Sequence, residues 1–173
     1  ETIVSELRSL ASEYLELNRR DDALAAFRRV LALDDTGETD VLSAALCFAT
    51  GGNPGAATNL LLNWASTYAP NTPSVRLRRA ISVFAEASGR SELAEDWRGR
   101  ATAAGSATES ERSSAARWLK WAGFPDVARL EEDAILNSAP DSSTATYYLQ
   151  ARAANAFAID DLSEAADTYI RTG

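Results

Sequence analysis

The chain has 173 residues, with 17 basic and 25 acidic side chains for a net charge of −8, and it contains no histidine and a single cysteine. That balance excludes a general nucleic-acid binder, which needs a basic footprint, and the missing histidine removes the commonest general base, triad member and imidazole metal ligand. Cys47 has no intramolecular partner for a disulfide.

In chain order, the first readable unit runs from Val4 to Gly37. Leu7, Leu10, Ala11 and Tyr14 fall on one helical face; after the polar turn Asn18-Arg19-Arg20, Ala23, Phe27, Val30 and Leu31 fall on one face of a second helix. So short a connection predicts an antiparallel pair. Val41, Ala44, Ala45, Phe48, Ala57 and Leu61 repeat the pattern 34 residues on. Gly51-Gly52-Asn53-Pro54 divides the second pair, with Asn53 as N-cap and Pro54 at the first helical position. This glycine-rich stretch reads as an inter-helix turn, since it lacks the preceding strand and the Lys-Ser/Thr of a phosphate loop.

The third unit follows Ala69-Pro70-Asn71-Thr72-Pro73, with Leu77, Ala80, Ile81, Phe84, Leu93 and Trp97 in register 36 residues after the second, or a register anchored on Ala94. The extra residues are expected in the proline loop, with Thr72 and Ser91 as caps. Thr108 and Glu111 form a capping box ahead of a fourth unit, with Ala115, Ala116 and Leu119, Gly123 at the turn, Ala128, and Pro140 at its end. Glu132 stands where an aromatic residue is expected, which makes this unit the most degenerate. A fifth unit places Ala153, Ala154, Phe157, Ala166 and Ile170 in register, with Asp161 and Glu164 ahead of its last helix.

Leu7, Leu10, Ala11, Tyr14, Ala23 and Phe27 resemble the large, Leu, small, aromatic, Ala and aromatic positions of the tetratricopeptide repeat, a 34-residue helix-turn-helix unit. Val30 and Asp35 depart from it. The resemblance implies an all-α, right-handed superhelix of antiparallel helix pairs, about five repeats in one solenoid domain over residues 1–173. The chain reads as a fragment of a longer array. Such a repeat specifies a scaffold and no chemistry.

The positions that face the groove in this family include Arg8, Arg78, Arg79, Arg117, Lys120 and Arg152, with Glu16, Glu86, Trp121 and Asn155: six positive charges against two negative. The expectation is a basic groove that receives an acidic segment of a partner protein through Arg78, Arg79, Arg117, Lys120, Trp121, Arg152 and Asn155. With Lys120 the only lysine, the carboxylate clamp of chaperone-binding members is missing. The acidic runs Glu92/Glu95/Asp96 and Glu131/Glu132/Asp133 read as solvated faces, Tyr147-Tyr148, Trp64 and Trp97 as core, and Cys47 as buried and inert.

The function expected is a non-enzymatic protein-interaction scaffold with no cofactor, no metal, no nucleic acid and no direct membrane insertion, since no run of about 18 apolar residues occurs. Weak self-association through apolar ends is also expected. The Ala/Arg-rich, lysine-poor repeats are similar to periplasmic arrays of bacterial exopolysaccharide export systems of the cellulose, alginate and Pel type, which implies a periplasmic setting. The alternative is a regulatory helical-repeat module attached to an enzyme or other effector domain in the same polypeptide.

Overall fold

The computed structural model describes residues 2–33, 36–103 and 107–158. Among these residues it contains nine α-helices and no strand. The chain divides into two compact units, Glu1–Gly105 and Ser106–Gly173.

The first unit holds α1 (Thr2–Glu16), α2 (Arg20–Leu31), α3 (Glu38–Thr50), α4 (Pro54–Tyr68), α5 (Val75–Ala87) and α6 (Ser91–Thr102). They pack as the sequential pairs α1/α2, α3/α4 and α5/α6, with α2 against α3 and α4 against α5. Alanine makes the close approaches possible: Ala11, Ala23, Ala44, Ala57, Ala80 and Ala94 are fully buried. Larger side chains fill the space beside those crossings, with Leu42, Leu61, Leu77, Ile81 and Phe84 fully withdrawn from solvent. Leu10, counted among the packing positions, is 38% exposed on α1.

The second unit holds α7 (Glu109–Trp121), α8 (Pro125–Ser138) and α9 (Ser143–Ala158), with α7 against α8 and α8 against α9. Ala115, Ala116, Leu119, Ala128, Ile135 and Ala145 are fully buried there. Ala153 is buried as expected, whereas Ala154 is exposed. Phe157, Asp161, Glu164, Ala166 and Ile170 lie outside the described side chains.

Each pair is joined by a turn containing one residue in the left-handed region: Asn18 (φ 56°), Gly52 (φ 85°), Gly89 (φ 76°) and Gly123 (φ 90°). These positions recur at intervals of 34, 37 and 34 residues and fix the true register of the repeats. The third unit is therefore anchored on Ala94, fully buried, and not on Leu93, which is only partly buried. The three extra residues sit in a helix rather than in the proline loop. α4 has 15 residues where α2 and α6 have 12, and the loops 32–37, 69–74 and 103–108 have equal lengths. Pro70 and Pro73 stop α4 only after an additional turn of helix has formed.

Several caps match their sequence signals. Asn53 Oδ1 accepts from the Ala56 amide at 3.0 Å, and Thr108 and Glu111 form the reciprocal capping box. Others fall elsewhere. Ser74, not Thr72, caps α5 by accepting from Leu77 N–H, and Ser91 is already the first residue of α6, whose N-cap Arg90 makes no side-chain cap bond.

Candidate functional site

The sequence places seven candidate contact residues on first helices, and the two units divide them. Arg78 and Arg79 lie on α5 of the first unit; Arg117, Lys120 and Trp121 on α7, with Arg152 and Asn155 on α9, belong to the second.

In the first unit Arg79 is buried, 3% exposed, with Nη2 3.4 Å from Thr102 Oγ1 at the end of α6. It is a packing element more than a surface group. Arg78 is half-buried and donates through Nη1 to the Arg100 carbonyl at 2.9 Å, while its Nε–H is buried without a partner. It lines an open cleft of about 810 Å³ between the last turns of α4, the 69–74 loop and the C-terminal part of α6. Leu62, Ala65, Pro73 and Trp97 give the cleft apolar walls. Arg100, also at its edge, lies over the Trp97 ring at 4.8 Å and is paired with Asp96 at 2.7 Å.

Arg8, expected in the same basic row, is neutralised inside the unit. It donates through Nε and Nη2 to both oxygens of Asp40 at 2.8 Å, tying α1 to α3. Asp40 also accepts from the Gly37 amide at 3.0 Å, so one buried carboxylate starts α3 and fixes the preceding pair against it. Arg76 holds Glu38 at 2.9 Å, adding a link between α5 and α3.

In the second unit the acidic run read as a solvated face is interior at two of its three members, Asp133 being half exposed. Glu131 is fully buried and Glu132 is 3% exposed. Arg112 Nη1 donates to Glu131 Oε2 at 2.8 Å. Lys120 Nζ is paired with Glu132 Oε1, and Arg152 reaches Glu132 Oε2 at 3.1 Å and Asp133 Oδ1 at 2.7 Å. These carboxylates escape the solvent-facing reading because they lie on the inner stripe of α8 beside Ala128 and Ile135, where cations from α7 and α9 meet them. Burial disfavours charge on Arg152, but the hydrogen bonds and charges of Asp133 and Glu132 outweigh it and hold its pKa above the ordinary value. Lys120 also sits 5.7 Å from the Tyr148 ring, and Tyr148 Oη shares a 2.9 Å hydrogen bond with Ser113 Oγ.

Lys120 and Arg152 therefore converge on a single buried glutamate, a function that the register did not reveal. Arg117, Trp121 and Asn155 are exposed. Arg117 and Trp121 stand four apart on α7, on one face, with the indole-bearing side chain 59% exposed.

The remaining aromatic expectations divide. Trp97 and Tyr148 are buried, whereas Tyr147 is 63% exposed; Trp64 packs on Tyr68, with ring centres 5.4 Å apart. Cys47 is 2% exposed and burial pushes its thiol up to about 11. Among the described residues no group of Cys, Asp and Glu is arranged to hold a metal, and no helix is long and apolar enough to cross a membrane.

No family model and no curated protein matches the chain. Among solved structures it is similar to a crystal structure of MamA protein, with 15% identity, a TM-score of 0.54 and coverage of 98% of this chain and 90% of that one. A second crystal structure of MamA gives 15% identity, a TM-score of 0.50 and coverage of 94% and 92%. MamA is a tetratricopeptide-repeat protein, and the likeness extends over about nine-tenths of it. At such identity it is the fold that is shared: sequential helix pairs of the tetratricopeptide-repeat kind.

Proposed function

We propose that the chain is a non-enzymatic scaffold that holds a partner protein bearing an acidic segment. The observation that carries this reading is the pair Arg117 and Trp121, both exposed on one face of α7, with Arg117 in no ion pair among the described residues. Arginine and tryptophan are the residue types that dominate binding energy at protein interfaces, one as a carboxylate fork and the other as a large apolar anchor. Asn155 is assigned to the same contact from the repeat register.

Lys120 and Arg152 support the unit from within by neutralising Glu132, and Arg79 does so by packing; their part in partner binding is positional. A setting in a bacterial envelope or polysaccharide-secretion assembly, on the periplasmic side, belongs to this proposal on composition alone.

The test is affinity selection of proteins on the immobilised chain, followed by measurement of each recovered partner against the Arg117→Ala/Trp121→Ala double variant. The proposal expects at least tenfold weaker binding with an unchanged circular dichroism spectrum, and weaker wild-type binding at raised salt. Equal affinity of the double variant for every recovered partner would overturn it.

A further inference from the structure

The left-handed turns put α5/α6 and α7/α8 in register at an interval of 34 residues, so Arg78 corresponds to Arg112 and Trp97 to Glu131. In the second unit the arginine is answered by its own helix pair: Glu131, fully buried on α8, receives Arg112 at 2.8 Å. In the first unit the matching position on α6 is Trp97, and among the described residues no carboxylate lines the cleft into which Arg78 faces. Arg78 forms no ion pair among the described residues; its one hydrogen bond goes to a backbone carbonyl, and its Nε–H is buried without an acceptor.

A guanidinium held against a protein carbonyl, with donors unmet and low-dielectric walls on several sides, attracts a carboxylate more strongly than one in water. The apolar walls formed by Leu62, Ala65, Pro73 and Trp97 give room for the side chain that flanks such a carboxylate.

We propose that the cleft at the ends of α4 and α6 is a binding site for a partner protein's acidic side chain, in which a Glu or Asp from outside pairs with Arg78 as Glu131 pairs with Arg112 from within. The internal pair is a glutamate side chain, and this favours a side-chain carboxylate over a chain terminus. The site deepens the scaffold reading and rests on it, since it names the chemistry of one contact.

The cleft is tested on the full chain with arginine labelled for nitrogen-15, the Arg78 Nε–H resonance being assigned by its loss in Arg78→Lys. Titration with acetyl-Leu-Glu-Leu-amide shifts that resonance saturably, and acetyl-Leu-Gln-Leu-amide binds about tenfold more weakly or less, the expected effect of losing a charge-assisted hydrogen bond. Arg78→Lys, which keeps the charge but not the fork, weakens binding by a similar factor, read from the peptide's own resonances. Trp97→Glu supplies the carboxylate from within and abolishes binding; if that variant does not fold, the Arg78→Lys and glutamine-peptide results decide.

Equal shifts with the glutamine peptide, or with inorganic phosphate at the same concentration, overturn the proposal. So does equally tight binding of acetyl-Leu-Ala-Leu with a free C-terminus, which would assign the site to a chain end. Failure here with the Arg117/Trp121 contact intact removes the cleft and leaves the scaffold standing; failure of that contact with the Arg78 shift intact does the reverse.

Discussion

Arg112 and Glu131 meet at 2.8 Å between α7 and α8, the glutamate side chain fully withdrawn from solvent and the arginine side chain one-tenth exposed. Each of these interior charges is answered by the other. Removing one partner leaves an uncompensated buried charge, so Arg112→Ala or Glu131→Ala should each lower stability by about 3–5 kcal/mol. An apolar replacement of both, Arg112→Met with Glu131→Leu, should restore most of the loss. Urea unfolding followed by tryptophan fluorescence checks this; a double variant as unstable as the worse single one would contradict it.

Glu132 has two cationic partners of different quality. Lys120 is nearly half exposed, with 46% of its side chain in solvent, whereas the Arg152 side chain is 15% exposed and bridges Glu132 and Asp133. Solvent screening makes the lysine contribution small. Lys120→Ala is expected to cost less than about 1 kcal/mol, and Arg152→Ala roughly 3 kcal/mol. The ordering is the prediction, measured by the same unfolding experiment.

The turn residues give a backbone test. Gly52, Gly89 and Gly123 have φ between 76° and 90°, and a Cβ at any of them would meet no atom within 4 Å. Alanine there should cost only the conformational strain, roughly 1–2 kcal/mol at each site. Asn18 holds the same place with φ 56°, and asparagine tolerates this region, so Asn18→Gly should leave the midpoint of thermal unfolding nearly unchanged while Asn18→Ala lowers it.

Burial raises the Cys47 thiol from 9.0 to about 11, with Arg20 and the backbone pulling weakly the other way. A raised pKa means that the folded state favours the neutral thiol. Its contribution to stability is therefore complete below pH 9 and lost between pH 9 and about 11. Alkylation of the native chain at pH 8 should be much slower than of the urea-unfolded chain; equal rates would show a thiol open to solvent.

α1 carries Ile3 and Leu10, and the turn that follows it carries Leu17, exposed at 67%, 38% and 68%. In stacked repeats such faces are covered by a neighbour. Concentration-dependent association is expected, weakened by Ile3→Glu with Leu10→Glu. A sedimentation series that gives a strict monomer at every concentration would remove this surface as an association site.

The helix pairs, their turns and most alanine crossings were legible because a period of 3.6 within helices and about 34 between them is written in residue size alone. The third interval stays open in the sequence: Leu93 and Ala94 are adjacent and both fit a helical face, so only the geometry at Gly89 decides between them. Charges were the least legible. Glu131 and Glu132 look like solvent-facing residues until the cations of α7 and α9 are placed around them, and Lys120 and Arg152 look like groove residues until those carboxylates are found. A repeat template reports which positions face inward and says nothing of whether an inward charge has a counterpart.

The additional turn of α4 has its own consequence. Three residues of helix advance the chain about 4.5 Å, and the loop that follows does not take this back, since 69–74 is as long as 32–37 and 103–108. α8 is long as well, with 14 residues, but its loop 139–142 is two residues shorter, and the hollow at that junction is about 220 Å³. Helix length and loop length thus act as two scales sliding past each other: where they cancel the junction keeps only a small hollow, and where they do not the helix end overhangs like an eave and leaves a wider port beneath it. Deleting three residues from the end of α4 would bring the scales back into coincidence and close the port while leaving Arg78 itself in place, which separates the shape of the cleft from its charge.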